Sequence, residues 1–206
     1  MSELLLYGHP ESGHACKVAL ALAIAGLTHR AERVDIWAAP ETRPRAFLAA
    51  NPAAEVPVLM IDGSPHVQSG AILMEIATRW RCLGGESAAG LRRGRKLLLW
   101  EANRIGMCLP QLVEARRPVG QPFAPEVVVW LEGRYAVDRA RFDLLLGEAP
   151  FLHGEAPGIG DCAVWGYVQW TDRAGVAPSP AMAAWLARMR ELPAQRRPEE
   201  VFPTGA

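Results

Sequence analysis

Asn51-Pro52-Ala53-Ala54-Glu55-Val56-Pro57-Val58-Leu59 sets a proline directly in front of an apolar run, and about a dozen residues later Gln68-Ser69-Gly70-Ala71-Ile72-Leu73 opens a second apolar pattern. The residue before a proline is pushed toward extended geometry, so this spacing predicts a strand over 56–61. Asp62-Gly63-Ser64-Pro65 reads as a hairpin turn, Val67 falls in a further strand, and 71–80 reads as a helix. Upstream, Leu4-Leu5-Leu6-Tyr7 reads as a buried strand stopped by Gly8, His9 and Pro10. The alanine-rich run 15–25 that follows is apolar on nearly every face, which predicts a helix enclosed on several sides, and Gly26 supplies its C-terminal stop. A strand over 32–36, a polar proline-punctuated stretch over 38–44 and a short helix over 47–50 complete an α/β unit of about 80 residues.

Glycine and small residues gather at Leu83-Gly84-Gly85-Glu86-Ser87, and beyond them strand signals nearly vanish. We place a boundary there, with a first domain over 1–82 and a second, all-helical domain over 88–206. Its helices are expected at about 91–115, 126–146, 160–174 and 180–191, with a proline-containing tail after Leu192.

At 206 residues, half of them apolar, the chain is long enough to bury a core of its own. Twenty-two basic residues cancel twenty-two acidic ones, so no overall field favours nucleic acid or an acidic membrane, and a small-molecule partner is the better expectation. The apolar stretch from Val18 to Leu27 is too short to span a bilayer, and Glu3 without upstream Lys or Arg argues against a signal peptide; the expected location is the cytoplasm. The four cysteines, at 16, 82, 108 and 162, form no CxxC pair and the histidines are scattered, so neither a disulfide framework nor a metal site is expected.

Three pieces taken together, Tyr7-Gly8-His9-Pro10-Glu11-Ser12, the Asn51–Leu59 segment and Gln68-Ser69-Gly70-Ala71-Ile72-Leu73, resemble the soluble glutathione transferases across almost the whole chain. That resemblance implies a thioredoxin-like N-terminal domain joined to an all-α helical domain, glutathione as co-substrate, no metal, a homodimer, and transfer of the glutathione thiol to a small hydrophobic electrophile. A glutathione-dependent isomerase, peroxidase or dehalogenase, or a non-catalytic module that binds proteins, uses the same frame.

Ser12 stands ahead of a helix, where unpartnered N–H groups and the helix dipole favour an anion. A thiol with an ordinary pKa of about 8.5 is mostly protonated at neutral pH, and each unit by which such a site lowers it corresponds to about 1.4 kcal/mol. Ser12 also suits plain helix capping. The resemblance gives it the catalytic slot, with Tyr7 the alternative. By the same resemblance Pro57 is cis, Val56 pairs with the cysteinyl backbone of glutathione, and Gln68-Ser69 hold its γ-glutamyl end. Glu55 departs from the pattern, since its charge would repel the glycyl carboxylate. Gly158-Ile159-Gly160-Asp161 departs too, lacking the hydroxyl half of the usual capping box. For the electrophile the expected wall is His14 with the inner face of the 91–115 helix, where Trp100, Arg104, Met107 and Gln111 recur at helical spacing. Trp100 and Met107 also suit a core, and Arg92, Arg93, Arg95 and Lys96 suit a solvated face.

Overall fold

The computed structural model describes residues 2–118, 122–192 and 198–202. Strand β1 (Leu4–Gly8), helix α1 (Gly13–Ile24) and strand β2 (Arg30–Arg33) form a βαβ unit with β1 and β2 parallel. After a 3₁₀ turn (Pro40–Thr42) and helix α2 (Arg45–Ala50), strands β3 (Val58–Ile61) and β4 (Ser64–Val67) add antiparallel, giving the order β2-β1-β3-β4, and helix α3 (Ser69–Trp80) closes the unit. The β3–β4 hairpin turns on Asp62 and Gly63 alone, at φ +50° and +81°, the paired positive values that a two-residue turn of matching twist requires. Ser64 and Pro65 therefore belong to β4, an edge strand that tolerates the missing N–H.

Alternation along β1 separates two cores. Leu4 and Leu6 join α1, α3 and the helical half in one continuous cluster, whereas Tyr7 joins Val34, Phe47, Ala54 and Val58 on the opposite face of the sheet. Helix α1 is enclosed as its all-round apolar pattern predicts, buried from Ala15 through Leu22. It ends where Gly26, at φ +66°, lets the Leu27 N–H donate to the Leu22 carbonyl at 2.9 Å. The second strand lies earlier than the expected 32–36, at 30–33. As a sheet edge it exposes Arg30, Glu32 and Arg33, so it carries no apolar alternation, and Val34 just beyond it is drawn into the second core.

Helices α4 (Ala88–Asn103), α5 (Ile105–Ala115), α6 (Pro125–Leu146), α7 (Ile159–Val168), α8 (Pro180–Arg190) and α9 (Pro198–Val201) follow. The single helix expected over 91–115 is thus two, broken at Arg104 (φ −126°, ψ −101°). The Glu101 carboxylate occupies the space at the start of α5, where a Cβ on Gly106 would lie 2.3 Å from its Oε1. The expected helix over 160–174 stops at Val168, because the chain turns through Trp170–Gly175, with Gly175 at φ +68°.

Two glycines bring the halves together. A Cβ on Gly13 would stand 2.5 Å from the Gly166 carbonyl, and one on Gly166 would stand 2.7 Å from that of Gly13, so α7 approaches the first turn of α1 as closely as backbone allows. The missing hydroxyl at Gly158 is replaced from elsewhere. His153 Nε2 accepts the Gly160 N–H at 3.2 Å, and the imidazole ring fills the space a Cβ at Gly158 would need, at 2.3 Å. Asp161, fully buried, accepts the N–H groups of Leu152, His153 and Gly158 and the indole N–H of Trp185, so the start of α7 is also the joint that holds α8.

Candidate functional site

Three chain segments converge where the sheet meets the helical half. The first is the turn after β1. The Ser12 N–H donates to the His9 carbonyl at 3.0 Å, and the Ser12 hydroxyl oxygen accepts the Ala15 N–H at 3.2 Å as the N-cap of α1. Accepting that bond leaves the hydroxyl proton free to be donated outward. Burial, then the Arg33 charge, lowers the pKa of His9, so its ring is neutral and Nδ1 accepts the Glu11 N–H at 3.1 Å, fixing the turn that carries Ser12. Tyr7 stands five residues before Ser12, on the other face of the sheet, its ring 5.6 Å from that of Phe47. Burial and the cross-strand Glu32 raise its phenol pKa above the ordinary 10.0.

The second segment is the bend before β3. The Val56–Pro57 bond is cis, and among the described hydrogen bonds none uses the Val56 N–H or carbonyl. Asn51 shapes this bend from within, donating its amide to the Glu55 carbonyl at 2.8 Å and accepting the Ala53 N–H at 3.2 Å. Glu55 itself is exposed. The third segment is the start of α3. Gln68, exposed and at φ +66°, turns the chain so that α3 begins without a side-chain cap, and a Cβ at Gly70 would meet nothing within 4 Å. Buried Ser69 thus lies beside open amides at a helix N-terminus, a ready anion site.

His14 joins the first and third segments. Its Nδ1 lies 3.4 Å from the Ser69 hydroxyl, and its ring packs edge-on against Tyr167 of α7 with centroids 5.1 Å apart. Burial, then the Lys17 charge, brings its pKa down to about 4, so at neutral pH it bridges the two helix starts uncharged. Behind it, Lys17 of α1 and Glu101 of α4 form a fully buried ion pair at 3.0 Å.

Residue patterns gave no warning of the cluster around Glu11. Its carboxylate accepts the indole N–H of Trp37 at 3.2 Å and pairs with Arg117 at 3.4 Å and Arg173 at 3.7 Å. The two guanidinium groups lie over the rings of Trp37 and Trp170, at 3.9 and 4.8 Å. Arg117 is shared with Glu114, at 2.7 Å, so the cluster pairs two cations with two carboxylates. Arg117 and Arg173 come from loops after α5 and α7, more than a hundred residues from Glu11, so only the fold could assemble the group.

The break at Arg104 divides the expected wall of the electrophile site. Trp100 packs against the main core from α4, Met107 is half-buried in α5, and Arg104 and Gln111 are exposed, so the four share no single helix face. Among the described residues no cluster of three or more His, Cys, Asp or Glu is placed to hold a metal ion, and no helix is long and apolar enough to cross a membrane.

Comparison with known proteins gives the same frame. The glutathione S-transferase N-terminal domain matches residues 12–79, and the glutathione S-transferase C-terminal domain matches residues 129–188. A maleylacetoacetate isomerase of Pseudomonas aeruginosa is 29% identical over 198 residues, 92% of this chain and 90% of that protein. A glutathione S-transferase from Pseudomonas fluorescens superposes with a TM-score of 0.80 at 27% identity, covering 95% of this chain and 98% of that one. The theta class glutathione S-transferase of Xanthomonas axonopodis, crystallised with glutathione bound, shares the fold with a TM-score of 0.83 at 20% identity, over 100% of this chain and 99% of that one. A thioredoxin-like unit, a helical half behind it and matches to both domain families agree: this chain belongs to the glutathione S-transferase family.

Proposed function

We propose that the chain binds glutathione and activates its thiol for attack on a small electrophile. The observation that carries this is the Val56 backbone, whose N–H and carbonyl have no partner among the described residues, beside a cis proline at the start of β3, the strand lying between β1 and β4, which lead into the α1 and α3 starts that His14 ties together. An extended tripeptide pairs with such a backbone as an added strand would. Its γ-glutamyl carboxylate then falls to Ser69 and the open amides of α3, and its sulfur to Ser12 at the positive end of α1. Ser12 donates a hydrogen bond to the thiolate and is not itself the nucleophile. Tyr7, with a raised pKa and a ring packed toward α2, is poorly suited to that role.

A second reading changes the electrophile. The Pseudomonas aeruginosa relative is named for an isomerase whose substrate, by that name, carries carboxylates, and Arg117 and Arg173 stand beside the Ser12 turn. In that reading thiolate adds to an activated double bond to give an enolate, the former double bond rotates as a single bond, and the enolate re-forms the double bond by expelling the thiolate, with no net conjugation. A homodimer fits either reading, since Trp130, Val137 and Leu144 lie exposed at seven-residue spacing along α6, and sedimentation velocity tests it.

Retention on immobilised glutathione tests binding, and turnover of a chloro-aromatic electrophile tests conjugation. Loss of turnover in Ser12→Ala with retention kept supports the first reading, whereas loss only in Tyr7→Phe moves the role to Tyr7. Isomerisation of an unsaturated diacid with no conjugate formed supports the second. Absence of both retention and turnover leaves a protein-binding module.

A further inference from the structure

Arg43 sits in the short stretch between the 3₁₀ turn and α2, half-buried, with all of its described bonds directed at backbone carbonyls. One guanidinium nitrogen, Nη1, donates to the Ala54 carbonyl. The other, Nη2, donates to the carbonyls of Ile36 at 3.0 Å and Ala38 at 3.3 Å. The two loops so joined are those on which the candidate site depends. Ala54, at φ +57°, is a non-glycine residue held in the left-handed region two residues before Val56. Ile36 and Ala38 flank Trp37, whose indole reaches Glu11 next to Ser12. Arg43 therefore spans from the bend that presents Val56 to the loop that braces the Ser12 turn.

We infer that Arg43 is a positioning residue for the tripeptide site: its guanidinium fork holds the 51–57 bend against the 36–38 loop and so sets where the open Val56 backbone groups point. The inference rests on the glutathione reading for its ligand, but not for the clamp itself. Asn51 alone cannot do this. Its side chain bonds only within its own bend, to Ala53 and Glu55, and its backbone N–H reaches Phe47 of α2, so none of its bonds reaches the 36–38 loop. Lysine cannot replace the fork either, because a single ammonium does not reproduce the planar spread that serves carbonyls on two loops at once. Arg43 acts through Val56 and carries no reacting atom.

The test uses Arg43→Lys and Arg43→Ala in the full chain. Without any tripeptide, amide hydrogen exchange over 52–57 and 36–38 is expected to quicken in both variants while α1 and α7 keep wild-type protection. With glutathione and saturating electrophile, KM for glutathione is expected to rise roughly tenfold with kcat within about twofold of wild type. Glutathione esterified at its glycyl carboxylate separates a clamp from a direct ion pair. A clamp gives the same fold-increase for ester and acid in Arg43→Ala, and Arg43→Lys does not rescue it. Unchanged exchange in both variants overturns the inference, as does a KM effect that disappears with the ester or is restored by lysine. If the wild-type protein binds no glutathione, the ligand reading fails, and the exchange measurement still decides the clamp.

Discussion

Replacing Lys17 by Met should cost the protein more than any surface substitution, and the cost should depend on pH in a definite direction. Lys17 and Glu101 are 2% and 3% exposed and meet at 3.0 Å across the α1–α4 interface. Removing one partner of such a pair strands the other charge away from water, at about 3–5 kcal/mol, against total stabilities of about 5–15 kcal/mol. With a urea m-value of about 2–3 kcal/mol/M, the midpoint should fall by roughly 1–2 M, read by tryptophan fluorescence. Burial already raises the Glu101 pKa, and the Lys17 charge partly offsets that rise. Without Lys17 the offset is gone and the folded pKa climbs further. A carboxyl whose folded pKa lies above its unfolded value contributes stability that is present below the unfolded pKa and lost as pH rises through the folded one. The deficit of Lys17→Met should therefore be largest at pH 7 and shrink as pH falls toward the ordinary carboxyl value of 4.5. Lys17→Met with Glu101→Leu, which removes both charges and keeps the volume, should regain most of the loss. A single-variant cost under about 1 kcal/mol at pH 7, or a deficit that does not change with pH, would show that the pair is not the desolvated contact its geometry describes.

Three further outcomes follow from buried groups. His14 and His153 both titrate at about 4 in the folded chain because burial disfavours their charged forms; a base with a depressed folded pKa loses stability as pH falls from about 6.5 toward 4, by about 2–3 kcal/mol each, and His153→Gln should flatten that part of a urea-midpoint profile. Asp161→Asn offers one acceptor oxygen where the carboxylate serves three backbone N–H groups and the Trp185 indole, so a loss of about 3 kcal/mol is expected by chemical denaturation, and a loss below about 1 kcal/mol would refute that role. Gly158→Ser restores a capping hydroxyl by sequence pattern, yet it should destabilise, because its Cβ would lie 2.3 Å from the His153 ring; the same change in a His153→Ala background should be neutral or favourable, a difference that thermal unfolding resolves.

The parts of this fold that residue patterns announce are those governed by local rules. Helix α1 is legible because its apolar residues leave no face for water, and the β3–β4 hairpin because Asp62-Gly63 supplies two positive φ values. Val56-Pro57 and Gln68-Ser69 are legible as motifs, though proline alone gives no more than about a 5% expectation of a cis bond. The features that differ depend on partners distant in the chain. β2 slipped to 30–33 because an exposed edge strand needs no apolar alternation.

The break at Arg104 shows why such features stay hidden, and why they bear on function. Nothing in Trp100-Glu101-Ala102-Asn103-Arg104-Ile105-Gly106 forbids a continuous helix; Gly106 is a tolerated weak point. At the break Glu101 is turned into the core to meet a lysine 84 residues earlier, and its carboxylate takes the space beside Gly106 that a larger residue would need. That lysine lies on α1, the helix whose N-terminus carries Ser12 and His14, and its charge contributes to keeping His14 neutral against Ser69. One buried contact thus fastens the helical wall beside its break to the helix that presents the candidate site, and its lysine adds to the burial that keeps His14, which bridges two of that site's three segments, uncharged. The residues at a helix break that the sequence pattern does not mark and a lysine inside an otherwise apolar helix are a single electrostatic unit.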